Sequence, residues 1–193
     1  MKHGFKSQCE KRSLKIRTEL GLGPTDPLKA IDLATHIEAV VWSAADVEDV
    51  LPEDLNQLTN VDPDSWSAFT IKVSHRDLIV YNPSQSAPRI NSVIMHELSH
   101  ILLGHTLANV LTTPEGYVVP SHYDQEQEDE ADWLAGTLLL PRPALLKVLE
   151  NDLNTKLICE KFLVSKQMLQ WRTRMTGIKH QLKNRKRRVS TRS

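Results

Sequence analysis

The chain has 193 residues, 40% hydrophobic and 25% charged, with Lys and Arg (24) balanced by Asp and Glu (24). This is ordinary globular composition for one domain, or one domain with a small appendage, and it gives no global field that would favour nucleic acid. The N-terminus lacks an apolar signal segment, no run of about 18 apolar residues occurs, and Cys9 and Cys159 stand far apart without a C-x-x-C. A membrane span, a disulfide scaffold and a thiolate metal site are therefore excluded, and a cytoplasmic protein is expected.

Phe5 to Leu20 reads as a basic, moderately amphipathic helix that stops at Gly21-Leu22-Gly23-Pro24. Asp26 with Pro27 at the first helical position predicts a second helix, with Leu28, Ile31, Ala34 and Ile37 on one face. Ala39 to Trp42 reads as a strand and Glu53 to Leu58 as a short helix. Ser67 to Val73 and Leu78 to Tyr81 flank Ser74-His75-Arg76-Asp77 and predict a hairpin. An edge strand of such a sheet can bind an extended peptide by strand addition.

Asn91 to Leu103 predicts a largely buried helix, with Asn91 or Ser92 as its N-cap and Gly104 closing it at positive φ. Inside it stands His96-Glu97-Leu98-Ser99-His100. Residues i and i+4 lie about 40° apart around a helix, so both imidazoles leave one face a turn apart. Two neutral imidazole nitrogens there can grip one Zn²⁺, and Glu97 beside them can take a proton from a water that the metal acidifies. A solvated helix carrying two histidines is the bland alternative. Burying two histidines and a carboxylate without a partner is costly, which favours a metal. His105 does not fit as third ligand: it falls on the opposite face if the helix continues, and it misses the metzincin spacing. It reads as a capping or surface residue.

Thr106 to Asp124 is irregular and long enough to wall a cleft. Tyr117, His122 and Tyr123 are its candidate oxyanion donors, or simply packing side chains. Beyond it, Ala131, Leu134, Ala135, Leu138 and Leu139 follow helical spacing. Glu126, Glu128 and Asp129 read as acids that complement the helix dipole, whereas Glu130, at the buried edge, reads as the third metal ligand.

Pro143 starts a short helix. Thr155 to Phe162, Leu163-Val164-Ser165 and Lys166 to Met175 then read as helix, turn, helix, with Ser165 as cap. In a DNA-binding unit Lys166, Gln167, Gln170 and Arg174 would face the groove. Residues 179–193 read as a disordered basic tail, able to meet phosphates but more simply solvated. The elements together predict an α+β fold, with a main domain over 1–150, the helical segment over 151–178 and the tail beyond.

H-E-L-x-H followed by E-x-E-A-D-x-x-A-x-x-L-L-x-P resembles the ImmA/IrrE family of zinc metallopeptidases, and Leu78 to Ser86 resembles the strand and loop before that family's zinc helix. The resemblance covers roughly residues 10 to 178. It departs at Ser99, where Gly is common, at Trp133-Leu134, where an aromatic usually stands one position later, and at Leu140, where Met is common. It implies a zincin-like core, a small sheet packed on the zinc helix, followed by a helix-turn-helix-like segment. It also implies Zn²⁺, with Mn²⁺ as an alternative, on His96, His100 and Glu130, and Glu97 as catalytic base. The implied substrate is a helix-turn-helix transcriptional repressor whose cleavage relieves repression in a stress response, a mobile element or a phage. The rival readings are a non-cleaving antirepressor and a DNA-binding regulator with a structural or vestigial zinc site.

Overall fold

The computed structural model of the chain describes residues 1–48, 50–105, 110–112, 118–120 and 124–190. They divide into two units: Met1 with Ala30–Ala135, and Lys2–Lys29 with Gly136–Ser193.

In the first unit a short hairpin supplies the sheet. β2 (Ala68–Val73) and β3 (Arg76–Tyr81) pair antiparallel across Ser74 and His75, with Ser74 at φ 58, as tight hairpin turns require. β3 begins two residues before the predicted Leu78. The tight turn lets Arg76 and Asp77 pair with Val73 and Lys72, and Lys72 opposite Asp77 sets unlike charges side by side. β1 (Val40–Ser43) joins β3 in parallel, so the order is β1-β3-β2 and β3 is central. Its Leu78, Ile79 and Val80 are buried, as a strand covered on both faces demands. Ala44, Val47, Leu55 and Trp66 cover the side of Leu78 and Val80, with help from the region of α3 (Pro52–Asn56). β4 (Val110–Thr112) and β5 (Val118–Pro120) form a separate antiparallel pair.

The other side of the sheet packs on α4 (Ala87–Leu103). α4 starts at Ser86, before the predicted Asn91, because Pro88 near the N-terminus is tolerated where no donor is needed. It ends at Gly104, φ 67, as predicted. Asn91 is therefore inside the helix, where its Oδ1 accepts from Ala30 N at 2.9 Å. That bond fixes the start of α2 (Ala30–His36), three residues after the expected Pro27, while the carboxylate of Asp26 instead accepts from Gly23 N. α5 (Gln125–Leu139) follows, with Asp124 Oδ1 accepting from Glu126 N and Gln127 N in its first turn.

The second unit is helical: α1 (Phe5–Glu19), the end of α5 from Gly136, α6 (Arg142–Glu150), α7 (Thr155–Phe162), α8 (Lys166–Met175) and α9 (Ile178–Ser190). Gly136 lets α8 approach, since a Cβ there would stand 2.5 Å from the Trp171 ring. The turn from α7 to α8 puts Leu163 at φ 49, and Ser165 Oγ accepts from Met168 N. Residues 178–190 are helical where the sequence reading expects a disordered tail. Ile178 is fully buried, Gln181 accepts from Arg142, and Arg142 Nη1 also donates to Thr176 O, which tie the start of α9 down. Among the described residues no helix is long and apolar enough to cross a membrane.

Candidate metal centre

The sheet and α5 bring three ligand-type side chains to one point on α4. His96 Nε2 and His100 Nε2 are 3.0 Å apart. Glu128 approaches from α5, with Oε2 3.2 Å from His96 Nε2 and Oε1 3.4 Å from His100 Nε2. Ligands about 2.0–2.1 Å from a tetrahedral ion stand roughly 3.3 Å from one another, so the three edges of this triangle suit a zinc-sized ion. The donor set fits as well: two imidazoles and a carboxylate converge, and these three residues can hold a metal.

Each histidine is backed from behind. Asp132 Oδ1 lies 2.9 Å from His96 Nδ1, one helical turn after Glu128, so one face of α5 supplies both the carboxylate at the point of convergence and the one that orients His96. His100 Nδ1 faces His105 Nδ1 at 3.0 Å. His105 is thus not a surface residue: its side chain is 7% exposed.

Glu97 points to β2, where Thr70 Oγ1 donates to its Oε2 at 2.5 Å. Burial raises the Glu97 pKa, while the Thr70 bond and His96 pull the other way. His100 falls to about 4, through burial and its neighbours His96 and His105. His96 is also drawn down by burial, but the Asp132 hydrogen bond and charge, with Glu97 and Glu128, outweigh it and leave the pKa raised. The two histidines thus shift in opposite directions: His100 offers a lone pair at neutral pH, and His96 holds its proton to higher pH than it otherwise would.

Of the residues singled out from sequence, the structure brings His96, His100 and Glu97 together. It does not bring Glu130 to the two histidines. Glu130 Oε2 lies 3.5 Å from His105 Nε2 instead. At about 100° per residue, Glu128 and Glu130 flank the buried seam of Ala131, Leu134 and Leu138 on opposite sides, each about 80° from its centre. Helical periodicity therefore marks both as seam-edge carboxylates and gives no choice between them. Thr70 has no sequence signal, since it meets Glu97 only through strand pairing. Asp132 has one, its i+4 spacing from Glu128. Tyr117, His122 and Tyr123 lie outside the described residues. Lys166, Gln167, Gln170 and Arg174 are exposed on α8 in the second unit, and Gln170 and Arg174 border an open cavity there with Leu149 and Ile158.

The sequence model of the peptidase M78 family, described as an IrrE N-terminal-like domain, matches residues 50–174. The chain belongs to this family. The match takes in α4 and α5, which carry the three converging side chains, and runs on through α6 and α7 into α8. It supports a metallopeptidase-type role, and a peptidase implies a protein substrate. No curated protein matches the chain.

Proposed function

We propose that the protein is a zinc-dependent metallopeptidase with a zincin-like core, its ion held by His96, His100 and Glu128. One observation carries this reading: three ligand atoms converge beside a half-buried glutamate that a strand hydroxyl holds in place. Bound there, Zn²⁺ supplies a Lewis acid that polarises the scissile carbonyl and acidifies water. Glu97 takes the proton of the attacking water and delivers it to the leaving amine, and its raised pKa suits both steps. Thr70 holds one carboxylate oxygen and leaves the other for that proton. Asp132 keeps His96 in the tautomer whose Nε2 faces the ion. β2 is the edge of its sheet and carries Thr70, so a substrate strand added to it would run beside Glu97.

The family resemblance supports a helix-turn-helix repressor as substrate, cut at a specific bond so that repression is lifted. Two histidines and a carboxylate also accept Mn²⁺. A second reading rests on residues 151–193, which hold twelve Lys and Arg against two Asp and Glu. With Lys166, Gln170 and Arg174 exposed on α8, helix-turn-helix-like contact with DNA is its content.

The test incubates wild type and Glu97→Ala with the candidate repressor and Zn²⁺ or Mn²⁺. Cleavage by wild type alone is expected, with a loss of at least about 100-fold in the variant. Relief of repression by both proteins with the repressor intact would replace the peptidase with an antirepressor.

A further inference from the structure

We propose that His105 and Glu130 form a positioning relay that fixes His100 for the metal, which rests on the reading of His96, His100 and Glu128 as ligands. Neither residue touches the ion in this account, and both act through His100.

Three observations carry it. The first is geometry. His100 Nε2 faces His96 and Glu128, so its only other ring nitrogen, Nδ1, points away from the ion, and His105 Nδ1 meets it there at 3.0 Å. The second is a proton count. A histidine that offers the Nε2 lone pair to a metal carries its proton on Nδ1. That N–H must donate, so His105 Nδ1 must accept, and a neutral His105 then carries its own proton on Nε2. Nε2 faces the Glu130 carboxylate at 3.5 Å, an electrostatic contact longer than a full hydrogen bond. Every proton in the series His100, His105, Glu130 has one place to go, and every one of these placements keeps the lone pair of His100 on the ion. The third is burial and backbone. The side chains of His105 and Glu130 are 7% and 17% exposed, a costly place for two polar groups. The turn that returns His105 over the helix end needs Gly104 at φ 67, with His105 N donating to His100 O at 3.1 Å.

The two ligand histidines are thus supported differently. Asp132 touches His96 directly, whereas Glu130 reaches His100 through a second imidazole. A ligand role for Glu130 and a relay role predict different sizes of effect, which makes them separable.

The test is Zn²⁺ affinity of the full chain, measured by competition with a chromophoric chelator, with the visible spectrum of the Co²⁺-loaded protein as a second readout. His105→Phe keeps the ring and removes the acceptor. It is expected to weaken Zn²⁺ about 10- to 100-fold and to shift the Co²⁺ bands. His105→Gln, which restores an acceptor, recovers most of the loss. Glu130→Gln costs less than His105→Phe, and adding it to His105→Phe costs nothing further, because it acts only through His105. Wild-type affinity and an unshifted Co²⁺ spectrum in His105→Phe overturn the relay, as does full additivity in the double variant. Complete loss of metal in Glu130→Gln makes Glu130 a ligand and also overturns it. If His105→Phe does not fold, as judged by circular dichroism, His105→Leu, which also lacks an acceptor, takes its place and decides between the same outcomes. A wild type that binds no Zn²⁺, or a Glu128→Ala variant that binds as wild type does, removes the underlying metal reading and the relay with it. The relay alone fails when those two controls behave and the His105 variant without an acceptor changes nothing.

Discussion

Both units bury charged or titratable side chains, and they complete them in opposite ways. In the helical unit Arg17 and Arg172 are fully buried, and each ends on fixed acceptors of its own unit. Arg17 donates to Ser13 Oγ, Leu138 O and Asp26 O, and Arg172 to Leu140 O and Glu10 Oε1. Each of these bonds carries a guanidinium N–H to an oxygen acceptor. In the sheet unit the polar cluster does not close: two imidazole nitrogens and a carboxylate point at one another, three lone-pair donors with the most basic group, His96, held from behind. Donors that meet acceptors serve the fold, whereas a convergent set of acceptors calls for a cation. Burial of charge alone would not have told the two apart.

The largest expected effect falls on the open cluster. Glu128→Ala should abolish stoichiometric zinc binding, read as metal content after dialysis, while Arg17→Met and Arg172→Met leave it intact. Retained metal would mean that the cluster closes without Glu128. Next comes the arginine network. Removing one partner of a buried ion pair costs about 3–5 kcal/mol, and Glu10 keeps its bond from Arg142 N, so Arg172→Met should lower the unfolding free energy measured in urea by an amount near the lower end of that range. A change under 1 kcal/mol would show that the buried arginine is not what holds α8 to its neighbours. A smaller effect is expected of Asp132→Ala, a 10- to 100-fold weaker zinc affinity with little change in the stability of the metal-free protein. The smallest is a shift in pH. Burial raises the Glu97 pKa and the Thr70 hydroxyl, which bonds the charged form, lowers it. Without that hydroxyl the carboxylate keeps its proton to higher pH, so Thr70→Val should move the acid limb of the kcat/KM profile upward. A limb that stays put or moves down would show that Thr70 does not act on the base.

Much of this was legible in the sequence, and the failures have physical causes. Periodicity and breakers place α1, α4, α5, α7 and α8, because the apolar spacing of each stands out, Gly104 closes α4 and Ser165 caps the start of α8. The start of α2 is not legible in the sequence because its first N–H is met by Asn91, 61 residues away, and no local pattern reports a cap supplied across space. The site divides in the same way. His96, Glu97 and His100 are local to one helical turn and so are visible as a motif. The distinction between Glu128 and Glu130 is not, because both flank one apolar seam and the choice depends on how α5 faces α4. Thr70 and His105 act through a strand pairing and a left-handed turn, which only the folded chain brings to the site.

The most direct test of the account is anomalous diffraction at the zinc edge from crystals of the zinc-loaded protein. The account predicts one strong peak bounded by His96 Nε2, His100 Nε2 and a Glu128 oxygen, with Asp132 and His105 behind the two histidines. A peak on Glu130, or none within reach of His96 and His100, would contradict it.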